Sequence, residues 1–143
     1  MKRLVIALAG VVFFATASFA HHPFAAEYDW KKPLTLTGTV IKLNWTNPHV
    51  ELTVDGKDDS GSSGTWTVEL GSPSALQKFG LTQSALKMGE KVTIDGWAAK
   101  DGSKRANAKS VTLPDGRELF AASSFFDTAM KPVATSGSSG SKR

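Results

Sequence analysis

"LTLTGTVIKLNW", residues 34 to 45, is the stretch on which the fold turns. Polar and apolar residues alternate along it, the two-residue period of a strand with one buried face. The apolar phase then jumps by one residue, from Leu36 and Val40 to Ile41, Leu43 and Trp45. Successive side chains point to opposite faces, so the jump requires a bulge or a bend, and the stretch predicts one long strand deformed near its middle.

Strand signals continue downstream. "TNP" (46 to 48) reads as a tight turn, with Asn47 restricted by the proline that follows it. "HVELTV" (49 to 54) alternates again and buries Val50, Leu52 and Val54, and "TWTVEL" (65 to 70) turns Trp66, Val68 and Leu70 inward. Between them "DGKDDSGSSG" (55 to 64) reads as a solvated hairpin loop. In "GSPSALQKFG" (71 to 80), Ser72 can cap a short helix, Pro73 suits its first turn and Gly80 can end it. "TQSALKMGE" (82 to 90) is a second short turn leading to a strand over 91 to 97. After the "DGSKR" loop comes a strand over 106 to 113, and the Asp115-Gly116 turn folds "RELF" back on it.

Three strands, a short helix and two or more further strands, with a long bent first strand, predict an all-β fold. The expected form is a small five- to six-stranded antiparallel Greek-key barrel, OB-fold-like, whose helix plugs one end. An open antiparallel sandwich has similar strand content and is the alternative. "GTVIKLNWTNPHVELTV", "GSPSALQKFGL" and "KMGEKVTIDGWAAKDGSKRANAKSVTLPDGREL" also resemble a family of small secreted bacterial proteins marked by a W-T-N-P-H segment, over about Phe24 to Phe120. That family has no established activity, so the resemblance implies fold and export and assigns no functional residue.

The chain ends bracket one domain. Lys2 and Arg3 precede an uncharged apolar run from Leu4 to Ala15, followed by the small-residue pattern Ser18-Phe19-Ala20. This is the form of a signal peptide, too short to span a bilayer comfortably, and it predicts cleavage near Ala20 and a periplasmic or secreted product. The expected organisation is a signal peptide over 1 to 20, a leader over 21 to 33, the barrel over 34 to 122 and a disordered tail over 123 to 143 ending in "TSGSSGSKR". With no cysteine, the exported domain must hold by packing alone. Without Lys2 and Arg3 the chain keeps 15 basic and 13 acidic residues, a balance that gives no argument for nucleic acid or anionic membrane as partner.

Chemistry must therefore come from particular sites. Cleavage after Ala20 would free the amine of His21, which with its imidazole can chelate copper or another transition metal. His22 stands beside it; His49 offers a further nitrogen, and Glu51, two residues on along the same strand face, an oxygen. Glu27 and Asp29 are further oxygen candidates. Three histidines without cysteine are a sparse signature, and each has a plain structural reading, His49 as a turn-bonding or Trp45-stacking residue.

The second candidate is the loop "AAKDGSKR" (98 to 105), where Lys100, Lys104 and Arg105 beside Trp97 suit a small anionic ligand or an envelope protein. The plain reading is a soluble turn beside a core tryptophan. Trp30, with Phe24 and Tyr28, is expected to pin the leader to the barrel; Trp45, Trp66 and Trp97 fall on inward phases or strand ends. On the second and third strands the outward residues are His49, Glu51, Thr53, Thr65, Thr67 and Glu69, a face with two carboxylates and no aromatic platform, which argues against nucleic acid. "GSPSA" is no nucleophile elbow, and in "DGKDDSG" Lys57 and Ser60 stand where a calcium loop needs a ligand and a glycine, so a non-catalytic binding protein is expected.

Overall fold

The computed structural model describes residues 24–129. Its elements, in order, are α1 (Phe24–Glu27), β1 (Tyr28–Asn44), β2 (Glu51–Asp58), β3 (Ser63–Glu69), α2 (Pro73–Lys78), a 3-10 turn (Gln83–Ala85), β4 (Lys91–Ala99), β5 (Arg105–Thr112), β6 (Glu118–Phe120) and α3 (Ser124–Ala129). The six strands form one sheet in the order β3-β2-β1-β4-β5-β6, each neighbouring pair antiparallel. A parallel pairing of β3 with the start of β5 closes the sheet into a ring. The expectation of an all-β, six-stranded antiparallel fold therefore holds, including the short strand β6 read in "RELF".

β1 makes this closure possible because it pairs with β2 through its second half and with β4 through its first. Its register against β2 slips between Val40 and Lys42, so the bulge falls on Ile41, at the phase jump in the sequence, and leaves Ile41 48% exposed. Inside the ring, Leu36, Val40, Val50, Leu52, Val54, Trp66, Val68, Leu70, Val92, Ile94 and Val111 are buried in one cluster. Ser72 caps α2 by accepting a bond from the Ala75 amide, with Pro73 in the first turn. α2 and the turn after it add Leu76, Leu81 and Leu86 to the same core.

Three boundaries differ from expectation. β2 and β3 run on to Asp58 and back from Ser63, so the hairpin loop shrinks to the turn between them. The Asp58 carboxylate holds that turn, accepting from Ser60 Oγ at 2.8 Å and the Ser62 amide at 2.7 Å. The leader is not separate from the domain: β1 begins at Tyr28, and Phe24 and Tyr28 are buried with Ala99 in a second apolar cluster against Trp97 and Phe125. The tail expected to be disordered from residue 123 instead opens with buried Ser123 and Ser124 and the helix α3. Nothing in "ASSFF" alternates, but the buried Asn107 bonds both serines and Phe125 stacks on Phe24 and Trp97. Among the described residues no helix is long and apolar enough to cross a membrane.

Candidate functional site

The Tyr28 to Ala99 register brings the start of β1 alongside the end of β4, and β5 and β3 follow across the sheet. Four distant segments therefore meet around Glu69, at the end of β3. Tyr28 Oη donates to Glu69 Oε2 at 2.9 Å, and His49 Nδ1 lies 3.1 Å from Glu69 Oε1. Asn107 Nδ2 donates to Glu69 Oε1 at 3.4 Å and to Ser124 Oγ at 3.1 Å, and Ser123 Oγ donates to Asn107 Oδ1.

Burial pushes the Glu69 carboxyl up, but hydrogen bonds from His49 and Tyr28, with the charges of His49 and Arg105, outweigh it and hold the group below the usual carboxylate range. The Tyr28 phenol moves the other way: burial first, then the Glu69 charge, keeps it protonated well above its ordinary value. Glu69 is thus a fixed acceptor and Tyr28 a fixed donor. Each satisfies the other, an arrangement suited to holding the start of β1 in place.

The metal candidates separate. His21 and His22 lie outside the described residues. His49 does lie on the outer face with Glu51, as read, but its ring goes to Glu69, which stands directly across the β2–β3 ladder from Glu51. Among the described residues no group of three or more histidine, cysteine, aspartate or glutamate side chains is placed to hold a metal ion. Of the other oxygen candidates, Asp29 accepts from the Lys31 amide and Glu27 faces Arg105.

Of the four rim candidates, Lys100 and Arg105 come together, and Lys104 and Trp97 lie apart from them. Lys100, Arg105 and Asp101 line a depression of about 350 Å³ with Ala26, Glu27 and Ala99. Arg105 Nη2 stands 3.7 Å from Glu27 Oε2, Lys100 Nζ donates to the Ala25 carbonyl, and the Lys100 amide donates to the Glu27 carbonyl at 2.9 Å. The stem of Lys104 passes over Gly64. Trp97 is half-buried against the second apolar cluster: its ring meets Phe24 edge-on at 5.4 Å and Phe125 at 4.8 Å. Trp30, expected to pin the leader, is 60% exposed, and Phe24 and Tyr28 do that work without it. A second depression of about 460 Å³ lies between the α2–β4 connection and the β5–β6 turn; its Lys87–Glu90 and Arg117–Asp115 pairs are local contacts on exposed side chains.

Sequence reasoning placed Glu69 on the face of His49 without joining them, and left Tyr28 and Ser123 outside the barrel. The contacts that join these residues cross 41 positions for Tyr28–Glu69 and 38 for Asn107–Glu69, beyond any local period. The one local signal was the outward phase shared by His49, Glu51 and Glu69.

No curated protein and no solved structure matches the chain. Residues 8–108, which take in the His49–Glu69 pair, the Lys100 to Arg105 loop and Asn107, match a family of unknown function (DUF6152), and the chain belongs to that family.

Proposed function

We propose that the protein is an exported, non-catalytic binding module of the cell envelope, taking an anionic group of a small ligand or envelope protein at the rim formed by Lys100, Lys104 and Arg105. One observation carries this reading: Arg105, which the Tyr28 hydroxyl orients, lines the depression in a loose, exposed pair with Glu27 at 3.7 Å, each side chain more than a third exposed. An exposed pair of that kind contributes about 0 to 1 kcal/mol, so a carboxylate or phosphate offering bidentate geometry to the guanidinium can displace Glu27 at little cost. Export is supported by the basic, apolar and small-residue pattern of residues 1 to 20. The test is retention of the chain beginning at His21 on immobilised envelope material. Lys104→Glu with Arg105→Gln should weaken retention while the protein still unfolds cooperatively, and unchanged retention would refute the rim.

A second reading has one observation in its favour. Glu69 fixes the orientation of the His49 ring through Nδ1, the way carboxylates orient metal-binding histidines. On this reading His21, with its free amine, and His22 would complete a copper site with His49 and Glu51. A copper(II) titration of the same chain should then give a one-to-one site that is lost in His49→Ala and on adding a residue before His21. Binding indifferent to both changes rules it out.

A further inference from the structure

Between the paired residues Tyr28 and Pro33, β1 departs from its register with β4, and Asp29 to Lys32 lie outside the ladder. This departure is a bulge within β1, where the Asp29 carboxylate accepts from the Lys31 amide at 2.9 Å, and it is fixed on both sides by buried Tyr28 and Leu34. Trp30 stands on it with 60% of its surface exposed, and Lys31, Lys32 and Pro33 are exposed beside it. Lys31 Nζ sits 5.3 Å from the centre of the Trp30 ring, a cation over one face.

A single exposed apolar residue needs no explanation by itself. Among the described residues the other exposed large aromatic, Phe79, has an apolar partner in Phe120 at 4.7 Å, whereas an ammonium group lies over the Trp30 ring. The cation seated on one face leaves less room for a stacking sugar or base, while an indole flanked by lysines is the pairing that settles at a bilayer headgroup layer. The register also places this tip at the end of the molecule that carries Lys100 and Lys104, both exposed. With Glu27, Asp29 and Asp101 set against Lys31, Lys32, Lys100, Lys104 and Arg105, this end of the molecule is still net basic around the exposed tryptophan.

We infer that the Trp30-Lys31-Lys32 tip is a peripheral docking point for an anionic phospholipid surface, with the indole seated among the headgroups and the lysines against lipid phosphates. The contact adds to the anion rim and does not depend on it. Nor does it depend on export, since it requires only an anionic bilayer. Each lysine near such a surface strengthens partition by roughly fivefold, so the tip and the neighbouring Lys100 together give weak, reversible, salt-sensitive binding.

The test is co-sedimentation of the chain beginning at His21 with vesicles of phosphatidylcholine alone or with phosphatidylglycerol added. Binding is expected only to the anionic vesicles. Trp30→Ala should weaken it several-fold, and Lys31→Glu with Lys32→Glu by roughly tenfold or more. Both changes are on exposed side chains, so melting temperatures should stay within about 2 °C of the unchanged protein. Equal sedimentation with neutral vesicles, no sedimentation with anionic ones, or undiminished binding by Trp30→Ala would each overturn the proposal. Retention on heparin without vesicle binding would overturn it in favour of a polyanionic glycan. The Lys104→Glu, Arg105→Gln protein keeps Trp30, Lys31 and Lys32, so its failure on envelope material combined with residual vesicle binding that Trp30→Ala still lowers separates the two proposals.

Discussion

At Glu69, burial and hydrogen bonding oppose each other, and hydrogen bonding prevails. Tyr28→Phe removes one charge-assisted donor while keeping the ring in its apolar cluster, and should cost about 1 to 2 kcal/mol in denaturant unfolding with little change in the slope. Glu69→Gln tests the charge itself. The folded carboxyl lies below its ordinary value of 4.5, so its stabilisation is fully present above that value and is lost as pH falls through the lower folded value. The melting-temperature difference between the natural protein and Glu69→Gln should therefore be largest near about pH 6 and shrink steadily towards about pH 3. A difference that stays constant over that range would show that the charge is not what stabilises. The sequence showed that His49, Glu51 and Glu69 share an outward face, because a strand's period is local. It did not show which of them touch, because that depends on where Tyr28 and Asn107 arrive from other strands.

β1 is the element that bends the sheet, and it does so by two devices. The bulge at Ile41 was legible because an extra residue shifts the apolar phase, and the shift is printed in the order of side chains. The close approach of β1 to β2 at the Gly38–Gly56 pair was not, since a glycine in a strand does not say what it faces. A Cβ on Gly38 would fall 2.3 Å from the Asp55 carbonyl oxygen and 2.6 Å from the Gly56 Cα, both backbone atoms that cannot swing aside. Gly38→Ala should thus cost more than about 2 kcal/mol in denaturant unfolding, whereas Ile41→Thr at the exposed bulge should change stability by less than about 1 kcal/mol. Equal effects would remove the close approach as the reason for glycine.

Across the whole molecule, two apolar clusters hold the chain, one inside the ring and one outside it where α1, the end of β4 and α3 meet. Phe24 is 3% exposed and stacks on Tyr28, Trp97 and Phe125. Phe24→Ala should therefore cost about 3 kcal/mol or more and speed hydrogen exchange at the Lys100 amide, whose acceptor is the Glu27 carbonyl. If Lys100 stays protected, α1 is held by something other than its phenylalanine. A chain ending at Ala122 should likewise lose stability, since Asn107 at 0% exposure would lose both serine partners. The sequence by itself determined the strand phases, the bulge in β1, the capped helix α2 and the all-β class, because alternation, phase and capping are written within a few residues of one another. Only the tertiary structure decided that the leader and the start of the tail are parts of the domain, that Trp97 packs against α1 and α3 outside the ring while Trp30 projects, and that His49 answers to Glu69. Those outcomes depend on contacts between segments tens of residues apart, and ring closure, not any local period, brings them together.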